Sequence, residues 1–269
     1  MTSPKKRCTV LLTFDFDAES SKLAKGATSP TPISQGQYGA RVGLPRILAL
    51  LAQYEIKATF FVPGDTAESY PDLVHQIQTD GHEIGHHGYT HVTPVTLSRA
   101  EEKAQLEKGF AALEKVASVR PKGYRSPAWD LSNNSIDLFK EFGFEYESSL
   151  MGDDFQFYRI GTEDGSPGLV EVPISWVLDD FVHFEIVENG SGLSLPAKVY
   201  EIWAGEFEGA YAEQGVFCLT MHPQVIGRYP RIRMLEKLIQ FMRGHAGVEF
   251  TTCSDAVAAW VKDNPIEEV

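Results

Sequence analysis

Four short stretches of the 269-residue sequence hold the side chains that could do chemistry together. The first is Asp15-Phe16-Asp17, directly after the apolar run Thr9 to Phe14. Ionised groups are costly to bury without partners, so two carboxylates one residue apart are not core filler. At a strand end they suit a metal ligand and a general base, one to coordinate and one to take a proton from water. The second stretch runs from Gly81 to His91, GHEIGHHGYTH, and holds four of the chain's eight histidines. On a helical turn His87 and His91 would share a face and could grip one ion. His82 and His86 have the same spacing, so spacing does not choose the pair. Imidazoles joined by an aspartate suit a borderline divalent ion such as zinc.

The third stretch is Tyr124-Arg125-Ser126-Pro127-Ala128-Trp129-Asp130. Pro127 biases Ser126 to extended geometry, which predicts a loop after a strand. Arg125 could orient a carboxylate or hold a substrate oxygen bidentately, and Trp129 could wall a pocket. The fourth is Phe217-Cys218-Leu219-Thr220-Met221-His222-Pro223. His222 closes a β-rich run, titrates near neutrality and could protonate a leaving group. Arg228 and Arg231 are candidate anion contacts, although solvated surface charge explains both. Cys8, Cys218 and Cys253 have no paired metal-ligand spacing; they read as small buried hydrophobes in a reducing compartment.

These residues need a frame. Apolar β-rich runs occur at Thr9–Phe14, Ala58–Val62, Val170–Val172, Val216–Leu219 and Val248–Phe250, with weaker ones near Gly81–Gly85, Gly123–Arg125 and Glu145–Ser148. Between them, apolar spacings of three and four predict helices around Leu44–Leu51, Leu73–Ile77, Leu106–Ala117, Ile136–Phe139, Val199–Phe207 and Ile232–Met242. Ser98 with Glu101 or Glu102 resembles a capping box, and Ser132 suits the N-cap of a helix starting near Asn133. Alternating strands and helices predict a parallel sheet with helices outside. At this length a (β/α) barrel of seven or eight strands leads, ahead of an open doubly wound sheet. In either, catalytic residues belong at the carboxyl ends of strands, where all four stretches fall. Ser20–Gln37 and Gly161–Gly168 read as loops able to close over a site, and the tail from Asp263 as solvated. No linker divides the chain, so residues 1–269 read as one domain.

With 24 basic and 37 acidic residues the formal charge is −13, which disfavours nucleic acid and anionic lipid as partners. No stretch approaches the roughly 18 apolar residues of a membrane helix. The start, MTSPKKRCTVLLTFDFDAES, meets Asp15 and Asp17 where a signal peptide would stay apolar, so the expectation is a cytoplasmic protein.

Taken together the four stretches resemble the polysaccharide deacetylase family, the NodB-homology or carbohydrate esterase family 4. Thr13-Phe14-Asp15-Phe16-Asp17 matches its first motif loosely, His87-Gly-Tyr-Thr-His91 its His-x-x-x-His pair, Arg125-Ser126-Pro127 its Arg-x-Pro loop and Leu219-Thr-Met-His222 its final histidine. Trp176 to Asp180 lies where a further motif belongs, without the usual pattern. The resemblance spans about residues 8 to 262 and implies a distorted (β/α)7 barrel. It implies a divalent metal, zinc as a rule, on Asp17, His87 and His91, with Asp15 as base, Arg125 as its orienting partner and His222 as acid. Tyr124 and Trp129 are the expected substrate contacts, with a backbone N–H near Tyr124 for the oxyanion. Phe16 between the carboxylates, Ala18-Glu19 in place of a glycine, Ser34-Gln-Gly-Gln-Tyr-Gly39 with Val42-Gly-Leu-Pro-Arg46, and Ser149-Leu-Met151 with Asp153-Asp-Phe155 look like an intracellular branch. That branch includes peptidoglycan deacetylase-like proteins and hydrolases of cyclic imides or ureides, often as homo-oligomers. The expectation is therefore a dimer or tetramer acting on a sugar or small-molecule amide. A non-catalytic metabolite-binding descendant would have lost its base or acid, yet Asp15, Arg125 and His222 are all present.

Overall fold

The computed structural model describes residues 8–161, 168–185 and 193–265. Nine strands form one sheet: β1 (Cys8–Asp15), β2 (Thr59–Val62), β3 (Glu83–His86), β4 (Gly123–Tyr124), β5 (Tyr146–Glu147), β6 (Tyr158–Arg159), β7 (Val170–Glu171), β8 (Val216–Met221) and β9 (Val248–Phe250). Their order is β6-β7-β5-β4-β3-β2-β1-β8, with β9 on the lower part of β1. All pairings are parallel except β6 with β7. The sheet curls until Asp179, downstream of β7, meets Thr220 of β8 in an isolated parallel bridge. The expected barrel with helices outside is therefore what forms.

Strand alternation sorts side chains between lumen and exterior. From β1, Val10, Leu12 and Phe14 join Leu44, Ile47, Trp203, Phe207, Leu235 and Ile239 of the surrounding helices in the largest apolar cluster. The other face of β1, with Phe61, Tyr146 and Cys218, belongs to a smaller lumen cluster. Burying each such large apolar side chain contributes about 1.5–3 kcal/mol. The helix Arg99–Ala117 opens on the expected capping box, Ser98 Oγ accepting from Glu101 N and Glu101 Oε2 from Ser98 N.

Several expectations need correction. Ser20–Gln37 is not a loop: helices occupy Ser20–Ala24 and Pro30–Tyr38, and a π-helical turn at Gly39–Gly43 leads into the helix Leu44–Gln53. Pro30 and Pro32 sit in a first turn, where their missing N–H groups have no helical acceptor anyway. Gly36 lets that helix close on the Asp17–Glu19 turn, since a Cβ there would lie 2.4 Å from Ala18 O. The helix expected from Asn133 starts at Ser135, with Ser132 Oγ accepting from Asn134 N. The helix Cys253–Asp263 and the two-residue antiparallel β6 are additions to the expected elements. The helix closes the lower mouth of the barrel, Cys253 N donating to Thr59 Oγ1 at 2.9 Å. Of the Gly161–Gly168 stretch, residues 162–167 lie outside the described residues, as do residues 266–269 of the tail. Among the described residues no helix is long and apolar enough to cross a membrane.

Candidate active site

The alternation that builds the core also assembles the site. On β1 the residues with the parity of Leu11, namely Thr13 and Asp15, face the lumen, and on β8 those with the parity of Cys218 do so, ending in His222. Arg125, one residue past β4, is fully buried among them. Its Nη1 donates to Asp15 Oδ1 at 3.0 Å and to Thr13 Oγ1 at 2.7 Å. Nε donates to Ser148 O at 3.1 Å and Nη2 to Ser148 Oγ at 2.9 Å. The guanidinium is thus held at four points and fixes one oxygen of Asp15. Burial works to raise the Asp15 carboxyl, but Arg125 together with His87 and His222 outweighs it, so Asp15 is held ionised below its ordinary range.

Asp17 follows in the turn after β1. Its Oδ1 lies 3.5 Å from His87 Nε2 and 3.4 Å from His91 Nε2, is buried, and closes no hydrogen bond. Burial raises this carboxyl, His222 and His87 partly offsetting it and Asp15 adding to it. His87 Nδ1 meets Arg125 O at 2.7 Å. A carbonyl only accepts, so Nδ1 carries the hydrogen and Nε2 presents its lone pair. Burial holds His87 and His91 down at about 4, so both are neutral at pH 7. Three bare ligand atoms within 4.8 Å of one another, one of them an orphaned buried carboxylate oxygen, fit a divalent cation. His87 and His91 do not meet on a helical turn, as the spacing suggested. They meet across a loop in which Gly88 has φ 73° and His91 φ 55°.

Opposite stands His222. Asp180 accepts from its backbone N at 3.0–3.1 Å and from Nδ1 at 2.8 Å, which leaves Nε2 aimed inward, 3.9 Å from Asp15 Oδ2. Burial opposes the charged imidazole, but the hydrogen bond and charge of Asp180, backed by Asp179, raise it well above its ordinary value. Burial pushes Asp179 itself up to about 7. Sequence reasoning touches Asp179 and Asp180 only as the end of an unmatched stretch. No motif marks them, because the chain between β7 and β8 reaches the seam by tertiary packing.

These groups share one cavity of about 130 Å³, lined also by Ser21, Lys25, Ala128, Trp129, Trp176 and Phe181. The Trp129 and Trp176 rings lie 4.4 Å apart between centroids and make one wall. Four non-glycine residues at this end have left-handed backbones: Ala18 (φ 48°), His91 (55°), Ala128 (58°) and Trp129 (55°). Such strain costs of order 1–3 kcal/mol per residue and collects where side chains must be aimed.

Other expected residues fall elsewhere. The Tyr124 side chain is not at the cavity; strand parity turns it outward onto Phe139, Phe144 and His86. His86 is likewise outside, its Nε2 3.2 Å from Leu106 O and its Nδ1 accepting from Gly88 N. His82 lies at the amino ends of the strands, accepting from Ala58 N. Strand alternation is the signal that chooses His87 over His86 on physical grounds: His86 shares the parity of Ile84 and faces the helices, His87 that of Gly85 and faces the lumen. Arg228 stacks on Tyr38, and Arg231 donates to Val225 O and Phe184 O, away from the cavity.

With this geometry in hand, likeness to known proteins becomes informative. Residues 2–147 match the polysaccharide deacetylase family model. A peptidoglycan deacetylase of Helicobacter pylori is 31% identical, over 93% of this chain and 95% of its own. A crystal structure from Mycobacterium smegmatis, assigned to the polysaccharide deacetylases, is 36% identical and superposes with a TM-score of 0.91 over 100% of this chain and 96% of the other. The crystal structure of Puue allantoinase shares the fold at a TM-score of 0.87, with 23% identity over 97% of this chain and 92% of the other.

Proposed function

Because the chain belongs to the polysaccharide deacetylase family, we propose that it is a metal-dependent hydrolase of non-peptide C–N bonds, removing acetyl from an N-acetylated sugar of the peptidoglycan type. One observation carries this reading: an Arg125-fixed carboxylate and an Asp180-fixed imidazole face each other at 3.9 Å beside an open Asp-His-His triad.

A divalent ion held by Asp17, His87 and His91, zinc in this reading, would polarise the amide carbonyl and acidify water. Asp15, kept ionised by Arg125, accepts the proton of the attacking water. Ala128 lines the same cavity, and a backbone N–H of the loop that follows Tyr124 would take the oxyanion contact. His222, protonated and held by Asp180, gives its proton to the departing nitrogen. Trp129, stacked with Trp176, offers a flat apolar face to the substrate. Arg125 works by positioning and by charge, since it reaches Asp15 and is fully enclosed.

A second reading, ring opening of a cyclic imide or ureide by the same residues, draws support from the cavity itself. Its volume of about 130 Å³ is below the roughly 300–1,000 Å³ of ordinary ligand pockets, which favours a small ring. The test is metal content, followed on the same sample by acetate release from an acetylated chitooligosaccharide and ring opening of a cyclic imide. About one zinc per chain with acetate release supports the deacetylase; ring opening alone moves the substrate to small rings. No metal and no turnover after zinc is restored would overturn both. The buried thiols of Cys8, Cys218 and Cys253 support a reducing, cytoplasmic setting. Exposed Leu195 and Tyr229 support a homo-oligomer, which light scattering tests.

A further inference from the structure

Twelve side chains line the catalytic cavity, and the mechanism makes no use of one charged group among them, the ammonium of Lys25. Its backbone is rigidly placed. The helix Ser20–Ala24 ends in a Schellman motif, with Ala27 N donating to Lys22 O at 3.0 Å, Gly26 N donating to Leu23 O at 2.8 Å, and Gly26 at φ 79°. Lys25 is the C-cap of that motif. The neighbouring ammonium, Lys22, is spoken for: it donates to Glu185 Oε1 at 3.0 Å, an oxygen also held by Gln35 at 2.7 Å. Lys25 forms no ion pair among the described residues, and its Nζ rests 5.5 Å from the centroid of Phe181, another cavity wall. Beside it the buried Ser21 Oγ also borders the cavity, next to Asp17 but without a hydrogen bond of proper geometry.

Charge accounting gives this lysine a direction. Of the carboxylates around the cavity, Asp15 is paired with Arg125, Asp180 with His222, and Asp17 belongs to the triad that would hold a divalent ion. Lys25 is then a surplus positive charge at the mouth of a low-dielectric site, in a chain whose formal charge is −13. A carboxylate placed there meets an ammonium that has no ion pair among the described residues, the hydroxyl of Ser21 and the aromatic wall of Trp129 and Trp176. Hydrogen bonds to charged groups contribute about 1.5–3 kcal/mol, about tenfold or more in affinity.

We infer that Lys25 is a specificity residue that anchors a carboxylate on the substrate, so that the substrate class is an acidic amide rather than a neutral one. This rests on the hydrolase reading above and narrows it. Two sources share the chemistry: a sugar acid bearing an N-acetyl group, and a small cyclic amide bearing a ring carboxylate.

The test uses two probe pairs, each differing in one acidic substituent: N-acetylmuramic acid against N-acetylglucosamine, and dihydroorotate against dihydrouracil. Affinities of the zinc-loaded protein are measured by calorimetry for wild type, Lys25→Ala and Lys25→Arg, and turnover of all four probes is followed separately. The expected result is that in one pair the acid binds about tenfold tighter, that Lys25→Ala removes most of that ratio, and that Lys25→Arg retains it. Whichever pair shows it identifies the source. Equal binding of acid and neutral probes, absence of binding by all four, or a preference surviving in Lys25→Ala would overturn the inference. Turnover of a neutral probe alongside such a failure leaves the hydrolase reading standing. A Lys25-dependent preference with no turnover of any probe keeps the carboxylate site and removes the reaction.

Discussion

Glu83 opens β3 and His87 follows its end, so the same strand carries a carboxylate to the lower mouth of the barrel and a metal-ligand candidate to the upper one. At the lower mouth Glu83 accepts from Tyr146 Oη at 2.8 Å, Thr59 Oγ1 at 2.7 Å and Ser254 N at 3.0 Å. His82 nearby accepts from Ala58 N. At the upper mouth Asp17 Oδ1 has no donor, and His87 Nε2 and His91 Nε2 lie 3.5 and 3.4 Å from it. Burial raises both carboxyls, so their acidity alone does not tell structural from functional. Nor does space, since the lower cavity, about 320 Å³, is the larger. Hydrogen-bond accounting separates these two: Glu83 has its donors and holds the lower mouth together, whereas Asp17 Oδ1, without one beside two imidazoles, fits a place for a cation.

The sharpest way to break this contrast is to remove His91. His91→Ala should drop metal from about one ion per chain to near zero and activity to background; a full metal complement would mean that the open triad is not the metal site. Asp15→Asn comes next. It keeps size and removes the proton acceptor, so metal should remain while kcat/KM falls by about 10²–10⁴. Unchanged turnover would remove Asp15 as base.

Asp180→Asn addresses the acid. His222 owes its raised proton affinity to Asp180, so the wild-type enzyme should keep its acid protonated above pH 6.5 and lose rate only as pH passes the raised value. The variant should lose rate at lower pH, and each unit of displacement costs tenfold at a fixed alkaline pH. An unmoved alkaline limb of the pH–rate profile would assign that limb to another group. The mildest change for chemistry is Glu83→Ala. It orphans the three donors, costing about 1–3 kcal/mol in denaturant unfolding for each one that water does not reach. Metal content and kcat/KM of the folded protein should stay within a few-fold; loss of metal there would erase the distinction between the two mouths.

The strands and long helices are legible in the sequence because their apolar periodicity is local. β6, a half-buried Tyr158–Arg159 pair, offers no apolar run to register, and the Pro and Gly of residues 30–43 conceal a helix whose glycine faces are required by close packing. The site divides in the same way. Asp15, Asp17, Arg125 and His222 sit at or within two residues of the ends of strands expected from the sequence. Family spacing selects His87 over His86, although strand parity carries a physical reason. That same parity puts the Tyr124 side chain on the opposite face from Arg125, onto Phe139 and Phe144. Asp179 and Asp180 lie on an irregular segment and acquire meaning only where the sheet edges meet.

That meeting has a consequence for the enzyme's endurance. The ring is joined by the Asp179–Thr220 bridge together with the bonds from Asp180 to the backbone and ring of His222, so the clasp of the barrel and the proton donor share the same residues. A histidine whose proton affinity is raised by folding lends its stabilisation at low pH and withdraws it as pH climbs through the raised value. Deprotonating His222 therefore slackens the clasp as it silences the acid. In the proposed mechanism turnover and rigidity would fade together from the alkaline side, while Asp17, His87 and His91, on the turns after β1 and β3, stay assembled.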